Sequence, residues 1–196
     1  MAILARWRYC PCCAAELTHV GSRVECHVCG FVRYANPSPA VAALVLDEEG
    51  RLLLGRRAFE PDVGMWDTIG GFLEEDEDAL AALHREVLEE TGLGVSVGGF
   101  VGAFSDRYGD GEDAPVVLNL VFEAWMVSGE PKPADDVTEL AWFPRDDLPA
   151  EDELAFNWIA PALRRWAKPP EKTESRRTGP RLGEGEGEAS NETCCK

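Results

Sequence analysis

Three glutamates stand in the sequence at a spacing that suits a divalent metal ion. Glu86, Glu89 and Glu90 occupy positions i, i+3 and i+4, which a helix places on one face, a few ångströms apart. Residues 74–90 hold eight carboxylates and one arginine, Arg85. Clustered carboxylate oxygens suit Mg²⁺ or Mn²⁺, because the cation neutralises their repulsion. Taken alone, however, the three glutamates also fit a solvated helix face.

The cysteines indicate a second metal. Five of the seven lie within the first 29 residues, and four of them form two C-x-x-C pairs separated by twelve residues: Cys10 with Cys13, and Cys26 with Cys29. Zn²⁺ takes four tetrahedral ligands, and four sulfurs leave no open coordination position. The spacing therefore predicts a structural zinc ribbon. The alternatives are four buried free thiols, or a ligand set in which Cys12 or His27 replaces one of the four.

Composition restricts the classes of function. The chain has 196 residues, 45% of them hydrophobic, and a formal net charge of −17. Such acidity argues against indiscriminate binding of nucleic acid, which needs basic surface. No apolar run approaches the roughly 20 residues that span a bilayer. The short, arginine-containing N-terminus does not read as a secretory signal. We expect a cytoplasmic protein with a small-molecule partner, and leave open whether it forms a homodimer.

Three segments differ in composition. Residues 1–34 hold the cysteine cluster, and residues 35–168 hold nearly all the patterned apolar sequence, enough for one core. Residues 169–196 have few large apolar side chains, so we predict a disordered tail. The tail ends with Cys194, Cys195 and Lys196, and we assign no function to its two cysteines.

The central segment must supply the elements that position the glutamates. Residues 40–46 and 51–54 read as a β-hairpin, 116–127 as a strand and 141–143 as a short strand. Residues 79–90 follow a helical pattern, with Asp76 or Asp78 as the cap and Gly92 at the end. An amphipathic helix closes the segment near Trp166, with Pro161 as its start or as a kink. This order predicts an α/β (α+β) fold with helices covering a mixed sheet.

One continuous pattern joins the glutamates to their neighbours. Gly71, Glu77, Arg85 to Val87, Glu89 with Glu90, and Gly92 with Leu93 match G-x5-E-x7-R-E-U-x-E-E-x-G-U at every fixed position, where U is apolar. The segment from about residue 35 to 166 therefore resembles the Nudix hydrolases, which implies their α/β/α sandwich. With the cysteine pairs, the chain is similar to the zinc-ribbon group that includes NADH pyrophosphatases. Residues 101–115 lack that group's Ser-Gln-Pro-Trp-Pro-Phe-Pro type segment, so the resemblance does not extend to NADH specificity.

The resemblance implies a role for each matching residue. The catalytic positions would be Glu86, Glu89, Glu90 and Arg85, and the three glutamates would bind the catalytic Mg²⁺ or Mn²⁺ together with a carbonyl at Gly70 or Gly71. Glu77 would pair with Arg85, and Gly71 and Gly92 would give the backbone freedom at the two ends of the helix. A further carboxylate often assists in this superfamily, and the candidates are Asp136, Glu139 and Glu112.

The activity implied is hydrolysis of the pyrophosphate bond in a nucleoside diphosphate linked to another group, such as ADP-ribose or an NAD(H)-like compound. Trp66, Phe104 or Tyr108 could stack on the base, and Arg56 or Arg57 could meet phosphate, although core and solvated positions explain the same residues. Two other classes of function stay open. One is a catalytically silent, nucleotide-sensing domain with a partner-binding ribbon, and the other is a zinc-ribbon protein that binds RNA.

Overall fold

Two sheets and two helices make up the computed structural model, which describes residues 4–111 and 114–168. The first sheet has the order β1-β2-β3. The second has the order β6-β5-β4-β8-β7, and β9 also pairs with β5. The strands are β1 Thr18–Val20, β2 Arg23–Glu25, β3 Val32–Tyr34, β4 Ser38–Leu46, β5 Leu52–Arg57, β6 Trp66–Asp67, β7 Gly94–Arg107, β8 Val116–Ser128 and β9 Val137–Phe143. The helices are α1 Ala79–Thr91 and α2 Ile159–Ala167, and a short 3₁₀ turn spans Glu151–Glu153.

Strand β4 is the centre of the larger sheet because both of its faces are apolar. It pairs in parallel with β8 from Ser38 opposite Val117 to Leu46 opposite Trp125. Alternate residues point to opposite faces. Thus Val41, Ala43 and Val45 join the core beneath α1, and Ala42, Leu44 and Leu46 join the core beneath α2. This confirms the predicted α+β class, with a mixed sheet flanked by helices.

Helix α1 begins and ends where the sequence indicates. Of the two predicted caps, Asp78 is the one used, and its Oδ1 accepts hydrogen bonds of 2.9 Å from the N–H groups of Leu80 and Ala81. Gly92 ends the helix in the left-handed region, with φ 72°, and donates its N–H to the Leu88 carbonyl. The helix thereby presents Leu83 and Val87 to the core.

The sequence did not predict strand β7. Its pairing with β8 shifts register between Val97 and Phe100 and again before Gly102, so the alternation of apolar side chains is interrupted. A Cβ at Gly98 would lie 1.9 Å from a ring carbon of Trp125, and glycine there lets the indole ring lie on the strand. Strand β9 begins four residues earlier than the predicted 141–143.

Helix α2 settles the alternatives for Pro161. This residue lies in the first turn, where a missing N–H is tolerated, so it belongs to the start of the helix and not to a kink. No helix among residues 4–111 and 114–168 is long and apolar enough to cross a membrane. The predicted tail, with Cys194 and Cys195, lies outside the described residues, and the segment boundaries stay predictions.

We expect Asp78→Ala to lower the free energy of unfolding by about 1 kcal/mol, because two N–H groups of the first turn of α1 lose their acceptor. Urea unfolding of the full chain measures this. Asp78→Asn is the matched control, since its amide oxygen still accepts both bonds, and it should stay close to the parent protein. Equal losses in both variants would mean that the cap is not the cause.

Candidate active site

A turn containing two glycines brings the loop before α1 against the sheet. The segment 69–73 runs antiparallel to β4, with the Ala43 N–H bonded to the Ile69 carbonyl at 2.7 Å and the Val41 N–H bonded to the Gly71 carbonyl at 2.9 Å. Gly70 has φ 148°, and a Cβ there would lie 2.2 Å from the Val41 carbonyl oxygen. Only glycine therefore permits this approach.

Two of the three glutamates turn their carboxylates towards these glycines. Glu86 and Glu90 are buried. Glu90 Oε2 accepts a 3.0 Å hydrogen bond from the Gly70 N–H. A Cβ on Gly71 would lie 2.5 Å from Glu86 Oε1, so the absent side chain of Gly71 makes room for this carboxylate.

The third glutamate, Glu89, lies nearer to solvent than the other two. The Glu89 side chain is 50% exposed, and it shares a nitrogen of Arg85 with Glu86: Nη1 donates to Glu86 Oε1 at 2.8 Å and to Glu89 Oε2 at 3.1 Å. Among the described residues, only the four cysteines bring three or more acidic, thiol or imidazole ligand atoms within 4.8 Å of one another. The three glutamates therefore do not converge on one point. Glu90 lines a small cavity together with Gly70 and Asp136, and we call this cavity, with Glu86, Glu89 and Gly71 beside it, the carboxylate groove.

Arg85 is fixed by the loop before the helix. Its Nε and Nη2 donate to the two carboxylate oxygens of Glu77, both at 2.9 Å, and Nη2 also reaches the Phe72 carbonyl at 3.1 Å. This contact lowers the pKa of Glu77. The bidentate geometry restrains the guanidinium in a fixed plane, and so sets the position from which it meets Glu86 and Glu89.

Of the candidate accessory acids, the structure brings Asp136 to the glutamates. Backbone bonds from Lys132 to Thr91 and from Ala134 to Glu90, 2.9 and 3.0 Å long, tie the loop before β9 to the end of α1. The Asp136 carboxylate then lies beside that of Glu90 and raises its pKa. Glu139 is exposed and pairs instead with Arg56 at 2.8 Å. Glu112 lies outside the described residues.

The electrostatics of the groove fit a divalent cation. Burial, and then the charge of Asp136, raise the pKa of Glu90 well above its ordinary value. Burial also raises the pKa of Glu86, although Arg85 opposes the shift. Of the acids Glu86, Glu89, Glu90 and Asp136, the first two are hydrogen-bonded to Arg85. Among the described residues, no backbone N–H donates to the Gly70 carbonyl. Hard oxygen donors with excess negative charge are the set that Mg²⁺ and Mn²⁺ prefer.

A pocket of about 580 Å³ opens beside the groove and shares Gly70, Gly71 and Asp136 with it. One wall is aromatic, since Tyr108 stacks on Phe156 with ring centroids 5.6 Å apart. The remaining polar and aromatic side chains that line it come from five separate parts of the chain: Arg57, Asp67, Thr68, Phe72, Asp106, Arg107, Asn119 and Trp158. We call this cavity the aromatic pocket.

Arg57 holds the walls of the aromatic pocket together. Its guanidinium donates to Asp67 Oδ2 at 2.9 Å, to the Tyr108 hydroxyl at 3.2 Å and to the Pro61 carbonyl at 2.7 Å. It also lies 4.9 Å from the Phe156 ring centroid. Burial raises the pKa of Asp67 to about 6, with Arg57 opposing the shift.

The other residues singled out from the sequence occupy different surroundings. Trp66 is buried in the core, with the Arg56 guanidinium 4.0 Å from its ring centroid. Phe104 packs near Trp158 in the same core. Of the three aromatic candidates, only Tyr108 lines the pocket. Sequence reasoning missed Asp67, Asn119 and Phe156 as pocket residues, because no spacing along the chain connects them.

The cysteines form a compact cluster in the small sheet. Each C-x-x-C pair closes a turn, with the Ala14 N–H bonded to the Cys10 carbonyl and the Gly30 N–H bonded to the Cys26 carbonyl. The sulfurs of Cys10 and Cys29, and those of Cys13 and Cys26, lie 3.5 Å apart. Zn–S bonds of about 2.3 Å in a tetrahedron place sulfurs about 3.8 Å apart, so the four thiols fit zinc. The Cys12 side chain is exposed.

A family model described as the NUDIX domain matches residues 36–166. The chain is 33% identical to an ADP-ribose pyrophosphatase of Methanocaldococcus jannaschii, over 63% of this chain and 70% of that protein. It is 34% identical to the NAD-capped RNA hydrolase NudC of Chromobacterium violaceum, over 72% of this chain and 52% of that protein. The chain thus spans about half the length of this second relative.

Solved structures share the fold. A NUDIX hydrolase from Nitrosomonas europaea aligns with a TM-score of 0.67 at 23% identity, covering 82% of this chain and 90% of that one. A MutT NUDIX hydrolase from Burkholderia pseudomallei aligns with a TM-score of 0.59 at 27% identity, covering 66% and 98%.

We expect the purified chain to contain one zinc ion per molecule, and Cys26→Ser to lose it, because a structural site needs all four sulfurs. Native mass spectrometry measures the metal content directly. Cys12→Ser is the matched control and should keep the ion. Retention of zinc in the Cys26 variant, or its loss in the Cys12 variant, would contradict this ligand set.

Proposed function

The chain belongs to the Nudix family of hydrolases, and we propose that its substrate is a nucleoside diphosphate linked to a second group, in the class of ADP-ribose or an NAD(H)-like dinucleotide. The observation that carries the proposal is the junction of the carboxylate groove with the aromatic pocket at Gly70, Gly71 and Asp136. Relatives named as an ADP-ribose pyrophosphatase and as NAD-capped RNA hydrolases support pyrophosphate hydrolysis.

In this proposal Glu86, Glu89, Glu90 and the Gly70 carbonyl hold Mg²⁺ or Mn²⁺, with Asp136 as the additional carboxylate. When bound, the cation neutralises phosphate oxygens and lowers the pKa of a coordinated water. Arg85 sets the positions of Glu86 and Glu89, and its pair with Glu77 keeps it from turning towards the phosphates.

The three glutamates differ in their access to water. Glu86 and Glu90 are buried, whereas Glu89 is half exposed at the edge of the groove. A general base must lie within hydrogen-bond reach of the attacking water. We therefore assign proton acceptance to Glu89, and the holding of the cation chiefly to the two buried residues.

The aromatic pocket suits the nucleoside half of the substrate. The stacked pair of Tyr108 and Phe156 offers an aromatic surface to a base. Asp67 and the buried amide of Asn119 offer hydrogen bonds to the base or ribose. Asp67 and Asp106 would repel phosphate from the aromatic pocket, so the diphosphate lies at the carboxylate end, where the cation is held.

The cysteine cluster has a structural role in this proposal, with Zn²⁺ bound by Cys10, Cys13, Cys26 and Cys29. The ribbon would comprise residues 1–34 and the hydrolase domain residues 35–168. Thiols are kept reduced in the cytoplasm, where disulfides are rare, so a cluster of zinc-binding cysteines supports a cytoplasmic location.

The proposal is tested by product analysis. The full chain is incubated with ADP-ribose, NADH, NAD⁺, dinucleoside polyphosphates or nucleoside triphosphates, each with Mg²⁺ or Mn²⁺. We expect AMP as a product from ADP-ribose or from a dinucleotide of the NAD type, and no turnover without a divalent cation. Saturable binding with no cleavage under any condition would support the catalytically silent, nucleotide-sensing domain instead.

Glu89→Gln should lower kcat at least about a hundredfold, which is the effect of losing a general base, with the thermal unfolding curve unchanged. Glu48→Gln, at an exposed position in the turn between β4 and β5, is the control and should keep the parent rate. A folded Glu89 variant that retains bound cation and a near-normal kcat would remove this residue from the chemistry.

Arg57→Met should raise KM by about tenfold and change kcat much less, because Arg57 orders the walls of the aromatic pocket and does not contact the glutamates; a lost charge-assisted hydrogen bond is of this size. Initial rates with ADP-ribose give the two constants. Arg56→Met tests the specificity of the effect, since Arg56 contacts Gly64 and Glu139 outside the pocket. Equal changes in both variants, or a loss confined to kcat, would contradict the assignment.

A further inference from the structure

A second groove, of about 720 Å³, lies between the middle of β7 and the C-terminal end of α2, and shares no lining residue with the aromatic pocket. We call it the α2 groove. Arg165, Trp166 and Lys168 come from the end of the helix, Arg145 from the segment after β9, and Phe100 from β7. None of these residues takes part in the proposed hydrolysis.

Within the part of the chain that the structure describes, the cations of the α2 groove are not paired with carboxylates. Residues 36–168 contain ten arginines and lysines. Five of them form ion pairs, namely Arg51, Arg56, Arg57, Arg85 and Arg164. Four have no carboxylate partner among the described residues: Lys132, Arg145, Arg165 and Lys168. Three of these four line this one groove.

This arrangement runs against the charge of the whole chain, which has 36 acidic and 19 basic residues. Carboxylates are abundant enough to neutralise every cation. Among the described residues that line the groove, Glu123 is the single acid. The groove is therefore a local positive surface on a strongly acidic protein, and it would concentrate small anions.

Trp166, which lines the groove, has a buried donor that lacks an acceptor among the described residues. Trp166 is 5% exposed, and its indole N–H is the buried side-chain polar group without a hydrogen-bond partner in the described ranges. The Arg145 guanidinium covers the ring at 4.1 Å from its centroid. Buried donors are nearly always satisfied, so a ligand oxygen drawn in by Arg145 would supply the partner that the protein does not.

A second cation, Arg165, and an aromatic ring, Phe100, also line the groove. The Arg165 guanidinium lies against β7 at Gly102, where an added Cβ would be only 3.1 Å from its Nη1. Phe100 is 55% exposed and packs on Phe122 with ring centroids 5.2 Å apart. Guanidinium groups match phosphate geometry in a bidentate manner, and an exposed ring offers a stacking surface to a base.

We propose that the α2 groove is a second ligand site, which binds a small phosphorylated compound such as a nucleoside polyphosphate, with its phosphates on Arg145, Arg165 and Lys168 and its ring against Phe100. Three cations suffice for a short polyanion. A nucleic-acid strand needs a longer basic track than the three cations among the described residues that line this groove.

The test measures binding to the full chain in buffer without added Mg²⁺ or Mn²⁺, so that it does not depend on hydrolysis or on the proposed catalytic cation. ATP and inorganic tripolyphosphate are titrated calorimetrically at low salt. We expect saturable binding of one ATP to this site, and at least about a tenfold weakening in the Arg145→Ala/Arg165→Ala double variant, from two lost charge-assisted hydrogen bonds. Tripolyphosphate should bind more weakly than ATP.

Arg164→Ala is the matched control, because Arg164 neighbours Arg165 on α2 but pairs with Glu151. Its affinity for ATP should stay within about twofold of the parent protein, since no contact of the groove is removed. A second readout is the indole N–H resonance of Trp166, identified by its absence in Trp166→Phe, which should shift during the ATP titration.

Three results would overturn the proposal. One is ATP binding of equal strength in the parent protein and in a folded double variant. Another is no saturable binding at millimolar ATP. The third is a hexaglutamate peptide that binds as tightly as ATP, since this would show attraction of any acid and no recognition of phosphate. Failure of the hydrolysis assay alone would leave this proposal intact.

Discussion

The candidate active site depends on the placement of two buried carboxylates against a glycine turn. Removing a carboxylate from water is costly unless hydrogen bonds or opposite charge compensate. The Glu90 carboxylate accepts a hydrogen bond from the Gly70 N–H, and Glu86 occupies the space that a side chain on Gly71 would take. The cap of α1, the strand-like segment 69–73 and the loop tied to Thr91 all hold this one contact in place.

Strand β4 explains why the groove and the pocket are neighbours. One face packs under α1, which carries the glutamates, and the other packs under α2, whose N-terminal side contributes Trp158 to the aromatic pocket. The pocket therefore opens where the two layers meet at the start of β4. Arg57, at the end of β5, connects four separate stretches of chain there and fixes the shape of the pocket without using a catalytic group.

The features that could be predicted from the sequence are those set by residues close together along the chain. The helix of residues 79–91, its cap and the spacing of its glutamates all follow from neighbours within four or so positions. Pocket residues such as Asp67 and Asn119 come from strands far apart in sequence, so no pattern joins them. Asp136 and Glu139 lie three residues apart at the start of β9, and a register shift beside Arg57 helps decide which of them reaches Glu90. Strand β7 was not predicted because its glycines and bulges interrupt the alternation of apolar and polar side chains.

The polarity of α1 adds a thermodynamic consequence. The C-terminal end of a helix carries partial negative charge, yet the last turn of α1 has Glu89 and Glu90 and no basic residue. The two carboxylates and the negative helix end repel one another, which destabilises the folded state, and no nearby basic residue of the last turn offsets this repulsion. A species that binds the native protein and not the unfolded chain stabilises it by mass action. The proposed cation would therefore link catalysis to conformational stability through this one unfavourable helix terminus, and the protein's resistance to heat should rise with the concentration of that cation.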